Sequence, residues 1–220
     1  MKILALEFSS ALRSVAVLNF APDGRRLASS EVVDASPTNT MKPFELIEQS
    51  LRETRLEREA IECIAVGLGP GSYTGIRAAI ALAQGWQLAK GVKLLGISSA
   101  ECIATQAWAE GIKGRLSVVI DAQRGEFYLA SYETGDSSLT EVSALRLATR
   151  AEVESRAQAG DVLLGPDVTQ LSPAGQKIFP GALMLGGLAR DHSAFVPGAQ
   201  LAPIYLREAN FVKAPPPRVI

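Results

Sequence analysis

The sequence predicts an α/β protein built of two mixed-sheet lobes that face one another across a cleft. Three features of the 220-residue chain predict it. An order of three strands, a helix and a further strand occurs twice. Each copy opens with an apolar run that ends in an acid, Glu7 in the first and Asp121 in the second. A glycine-dense turn, Gly67-Leu68-Gly69-Pro70-Gly71-Ser72-Tyr73-Thr74-Gly75, joins a strand to a small-residue helix. From the order alone, a single α/β domain with an accidental pseudo-repeat is the alternative.

Residues 3–6 form a short apolar strand, 14–18 a second, and Ala21-Pro22-Asp23-Gly24 turns the chain into a third over 27–33. A helix follows from Asn39 or Thr40 to residue 53, asparagine being a good helix cap. Its core stripe is Phe44, Ile47 and Leu51, and Leu46 points away from that stripe. Next come a strand over 61–66, the glycine turn, a helix over 73–90 and a strand over 93–97. Ser98-Ser99-Ala100-Glu101 matches a capping box for a helix ending near residue 110. The second half repeats the pattern with strands over 116–120, 126–132 and 139–145. Thr149-Arg150-Ala151-Glu152 then caps a helix to residue 159, and a strand over 161–164 closes on Gly165-Pro166. The lobes divide at 1–99 and 100–213, with the last segment packing back and a proline-rich, flexible tail over 214–220.

The glycine turn misses three common enzyme templates. A Walker loop needs lysine after the last glycine, where Ile76 and Arg77 stand. A dinucleotide fingerprint meets Ser72 or Thr74 where it needs glycine, and a hydrolase elbow finds Gly75 one place late. Two readings are left. One is a tight turn in which Gly67, Gly69, Gly71 and Gly75, around Pro70, give positive φ or close backbone approach. The other is an anion site at the helix start.

Composition narrows the function. A net charge of −1 with no basic run argues against autonomous nucleic-acid binding. Cys63 and Cys102 sit in apolar segments without metal spacing, as buried free thiols suited to a reducing compartment. The single histidine, His192, lies in a polar string, so a histidine metal pair cannot form and a Ser-His-Asp triad would have to use it. No leader pattern opens the chain and no apolar run reaches spanning length, so a cytoplasmic protein is expected.

The helix over 73–90 is apolar on most sides. Ile76, Ile80 and Ala83 make one stripe, Gly75, Ala79, Leu82 and Trp86 a second, and Ala78, Gly85 and Ala89 a third. One lobe covers one side of a helix, so a neighbour is expected. Leu46, Ile76, Arg77, Ala79, Leu82 and Trp86 are the expected contact set, Ile76 being the member closest to a core position.

The string from Gly69 to Arg77, followed by Ala83-Gln84-Gly85, resembles the signature of the TsaB (YeaZ) family. Asp121-Ala122-Gln123-Arg124-Gly125-Glu126-Phe127-Tyr128 and Pro203-Ile204-Tyr205-Leu206-Arg207 match it too. The resemblance implies ribonuclease-H-like lobes of the actin, sugar-kinase and Hsp70 type. It implies a non-catalytic subunit in synthesis of threonylcarbamoyladenosine beside the tRNA anticodon, pairing with TsaD, working with TsaE, and meeting tRNA only through the complex. The two N-terminal helices would form the TsaD surface and could also pair the chain with itself. Glu7 stands where the superfamily usually has aspartate, and Asn39 where the family commonly has histidine. Glu7 and Asp121 are therefore the candidates for a weak, vestigial nucleotide contact, with no cofactor or metal expected. An ATP-dependent small-molecule kinase of the same fold is the alternative function.

Overall fold

The computed structural model describes residues 1–35 and 42–206. Asn39, Thr40, Arg207 and the 214–220 segment lie outside the described residues. Two five-stranded mixed sheets carry the fold. In the first, β1 (Lys2–Glu7) pairs antiparallel with β2 (Arg13–Phe20) and parallel with β4 (Cys63–Gly67). β3 (Arg26–Asp34) and β5 (Lys93–Ile97) form its edges. The second sheet runs β10-β9-β6-β7-β8, from β6 (Arg115–Asp121), β7 (Glu126–Thr134), β8 (Leu139–Thr149), β9 (Val162–Gly165) and β10 (Gln176–Lys177).

Side-chain alternation along the strands builds a core on each face of the first sheet. Leu4, Leu6, Val15, Val17, Ile64 and Val66 point to one side, beneath α1 (Pro43–Thr54) and α2 (Tyr73–Lys90). Ile3, Ala5, Ala16, Leu18 and Ala65 point to the other, beneath α5 (Ala182–Asp191). α5 thus packs on the first sheet although it follows the second in sequence. Its N-terminus is tied there by two bonds. The Ala182 N–H donates to Ser14 Oγ at 2.8 Å and the Leu183 N–H to Glu31 Oε1 at 3.0 Å. A carboxylate at a helix start also complements the helix dipole.

α3 (Ser99–Ala109) is shared between the lobes. Ala100, Ile103, Ala104 and Ala107 cover Leu116, Val118 and Ile120 of the second sheet, while Cys102 packs with α5. α4 (Arg150–Gln158) covers the opposite face through Val153. Its capping box forms in full: the Thr149 side chain accepts from the Glu152 N–H, and Glu152 accepts from the Thr149 N–H. The box expected at Ser98 does not close. Ser98 Oγ accepts from the Ala100 N–H, and Glu101 turns instead toward His192 at 3.9 Å.

The stripe expected for α1 is corrected by rotation. Leu46, Ile47, Ser50 and Leu51 face inward, while Phe44 is 67% exposed. The Ser50 hydroxyl donates to the Ser30 carbonyl at 3.2 Å, and the Ser30 hydroxyl bonds Glu53. These bonds lock the helix onto β3 with Leu46 beneath it, so Leu46 belongs to the protein's own core.

Candidate functional site

The glycine turn is moulded against the loop that follows β1. A β-carbon on Gly75 would lie 2.0 Å from the Phe8 carbonyl oxygen, and one on Gly71 would lie 2.1 Å from that of Ser9. Gly67 has no space because Glu7 fills it, with Oε2 2.0 Å from the ideal β-carbon. Gly69 and Gly71 also carry positive φ, +85° and +147°, and the Gly69–Pro70 peptide is cis. Ser72 then caps α2, its Oγ accepting from the Gly75 N–H at 3.3 Å.

Glu7 lies fully buried beneath this turn. Its Oε1 accepts from the Ser9 N–H at 2.8 Å and its Oε2 from the Ser99 hydroxyl at 2.8 Å. Ser99 Oγ in turn accepts from the Gly69 N–H at 3.2 Å, and the Ser99 N–H donates to the Gly69 carbonyl at 2.8 Å. Burial pushes the Glu7 carboxyl above the usual carboxylate range, and the bonds from Ser9 and Ser99 oppose it. The residue ties the hairpin, the turn and α3 together.

Asp121 is exposed at the end of β6, where Oδ1 accepts from the Gln123 N–H at 2.7 Å. It lines an interlobe cleft of about 560 Å³ with Ser9, Ser72, Thr74, Asp167 and Lys177. Glu7 is absent from that lining, so the two candidate acids do not share the cleft. Asp167, unremarked in the sequence, lines the same cleft as Asp121. A magnesium-nucleotide needs carboxylates that reach metal-bound water and a hairpin that admits phosphate. The first hairpin here presents a sealed carboxyl and the fully buried Phe8. The residues present therefore do not fit that group.

Neither do Ser72 and His192 form a nucleophilic pair. Ser72 Oγ is the cap of α2, and His192 stands beside Glu101 beyond the end of α5. Both cysteines are buried and free. Burial pushes the Cys63 thiol up to about 11 and raises Cys102 as well. At pH 8 iodoacetamide should therefore label neither thiol in the folded protein and both after unfolding, as read by mass spectrometry. Rapid labelling of the folded chain would contradict their burial.

The apolar surface lies on α1 and α2. The three most exposed large hydrophobic side chains among the described residues are Leu88 at 90%, Phe44 at 67% and Tyr73 at 56%. All three belong to these two helices. Between the helices runs a groove of about 670 Å³, lined by Phe44, Ile47, Leu51, Leu82, Gly85 and Trp86 among others. Of the expected contact set, Arg77 is exposed and Leu82 and Trp86 are half-buried. Leu46, Ile76 and Ala79 are corrected: all three are buried in the core of the first lobe. Ile76 and Ala79 turn inward because the sheet takes a wide stripe of α2, residues 75, 76, 79, 80 and 83, as its cover. The sequence reading missed Phe44, Tyr73 and Leu88. Tyr73 and Leu88 are apolar residues on the strip of α2 marked by Arg77, which the helical projection identifies as the outer one.

Comparison with known proteins fits this architecture. A family model described as TsaD, tRNA N6-adenosine threonylcarbamoyltransferase, matches residues 40–179. The tRNA threonylcarbamoyladenosine biosynthesis protein TsaB of Escherichia coli is 32% identical over 139 residues, which are 63% of this chain and 58% of that protein. The TsaB of Buchnera aphidicola is 28% identical over 130 residues, 59% of this chain and 60% of that one. The matched stretches thus span less than two thirds of either relative. A crystal structure from Pseudomonas aeruginosa, described as a protein with similarity to peptidase YeaZ, superposes with a TM-score of 0.77 at 27% identity. That match covers 94% of this chain and 99% of the other. With the family model spanning most of its length and TsaB and YeaZ proteins as its relatives, the chain belongs to the TsaD-related, glycoprotease-like family, in its TsaB (YeaZ) group.

Proposed function

We propose that this chain is a non-catalytic subunit of the cytoplasmic machinery that makes threonylcarbamoyladenosine in tRNA. It docks a TsaD partner through α1 and α2, works with TsaE, and meets tRNA through the complex. The observation that carries the docking reading is the apolar groove between α1 and α2, with the exposed Phe44 on its lining and the exposed Leu88 and Tyr73 elsewhere on the same two helices. An exposed apolar groove of this kind marks an interaction site. Gly85 and the neighbouring Ala81 and Ala89, which also line the groove, let an incoming helix approach closely. The same face could pair two copies of the chain. The non-catalytic reading draws on the sealed Glu7 and on Ser72 and His192, each engaged elsewhere.

Gly85→Arg tests the docking role. Gly85 is exposed and nothing lies within 4 Å of an added β-carbon, so the fold should tolerate the change. A guanidinium in a desolvated groove costs about 3 kcal/mol, or roughly a hundredfold in affinity for TsaD. Titration calorimetry giving unchanged affinity, with an unchanged unfolding temperature, would remove the groove from the interface.

A further inference from the structure

We infer that Tyr73, Arg77 and Tyr205 form a preordered anchor at the start of α2 that receives a carboxylate of the partner, which makes the C-terminal segment 201–206 part of the docking surface; this rests on the docking reading above. The Tyr205 ring stacks on Tyr73 with centroids 5.3 Å apart and planes 23° from parallel. The Arg77 guanidinium lies 5.3 Å from the Tyr73 centroid, and its Nη1 donates to the Tyr73 hydroxyl at 2.9 Å. The segment is held in place just before this contact. The Ile204 N–H donates to the Leu68 carbonyl at 2.9 Å, and Leu201 is buried in the core of the first lobe. Yet Tyr205 remains 42% exposed. Fixing three side chains at the surface, the long Arg77 above all, costs conformational entropy before any ligand arrives. A ligand that meets them is spared that cost, and Tyr and Arg are the residue types that dominate interface energetics.

Charge identifies the occupant. The eighteen residues of α2 include Arg77 and Lys90 and no Asp or Glu. The remaining Arg77 N–H donors bond nothing among the described residues. Their complement is a carboxylate on an opposing helix, in the fork geometry that guanidinium favours. In a second copy, α2 against α2 would set cation against cation. An unpaired nucleobase could also stack on these rings. The chain's net charge of −1, and Asp121 and Asp167 in the cleft that Tyr73 also lines, disfavour a phosphate backbone there.

Calorimetric titration of TsaD into the full chain and its variants decides the matter. Tyr205→Ala and Arg77→Gln should each weaken binding about tenfold, while Tyr205→Phe, which keeps the stack, should stay within about twofold of the unsubstituted chain. Added salt should weaken the unsubstituted chain more than Arg77→Gln. If Gly85→Arg abolishes binding while Tyr205→Ala and Arg77→Gln bind normally, the anchor is wrong and the docking reading stands. If Gly85→Arg also binds normally, the docking reading itself falls. Loss of tRNA affinity by the assembled complex, with partner affinity unchanged, would assign the rings to a nucleobase and overturn the inference. So would loss of self-association alone, which would assign them to a second copy.

Discussion

Gly75→Ala is expected to destabilise the fold by about 3 kcal/mol or more, whereas Gly85→Ala is expected to stabilise it by about 0.5–1 kcal/mol. The two glycines lie on the same helix and have the same chemistry. They differ in what a methyl group would meet. At position 75 it would sit 2.0 Å from the Phe8 carbonyl oxygen, a backbone atom that cannot swing aside. Relief requires α2 to lift from the β1–β2 loop, which exposes Ile76, Ala79 and Ile80 from the core. At position 85 the methyl group meets nothing within 4 Å and only restricts the unfolded chain. Urea midpoints measured on the two variants should move in opposite directions. Equal shifts would mean that the turn is not packed against the hairpin.

Glu7→Ala should cost about 2–4 kcal/mol. It leaves the Ser9 N–H and the Ser99 hydroxyl without acceptors and opens a void beneath Gly67. The pH dependence carries a further signature. Burial raises the Glu7 carboxyl, so the native state holds its proton more tightly than the unfolded chain does. The stability this contributes is fully present below the ordinary glutamate range and is lost as pH rises through the raised native value. Glu7→Gln has no proton to lose there. The stability of the unsubstituted chain should therefore fall, relative to Glu7→Gln, as pH is raised from 4 toward neutrality. A constant difference across that range would show that the carboxyl is not held as the buried network implies.

The succession of most strands and helices along the chain was legible because it depends on local signals: alternation, capping residues and turn residues. Thr149 and Glu152 predict their capping box from spacing alone. α5 was not legible, because Gly186 and Gly187 interrupt its apolar pattern. Gly186 is there for tertiary reasons, since a β-carbon on it would lie 2.2 Å from Leu18 Cδ1. The same limit governed the docking face. A helical projection ranks residues by apolarity and cannot say how wide a stripe the sheet will cover. In α2 the sheet takes five positions, so Ile76 and Ala79 go inside. In α1 the Ser50–Ser30 bond sets the rotation, so Leu46 goes inside and Phe44 comes out. Glu7 read as a strand-end acid facing a cleft because nothing local announces that Gly67 makes room for its side chain.

The most direct measurement is tRNA modification reconstituted from this chain, TsaD and TsaE, with Asp121→Ala and Gly85→Arg each replacing the unsubstituted chain. A subunit that acts by docking predicts near-full threonylcarbamoyladenosine formation with Asp121→Ala and its loss with Gly85→Arg, both proteins remaining folded. Full formation with Gly85→Arg and loss with Asp121→Ala would place the chemistry in the cleft of this chain and contradict the docking role.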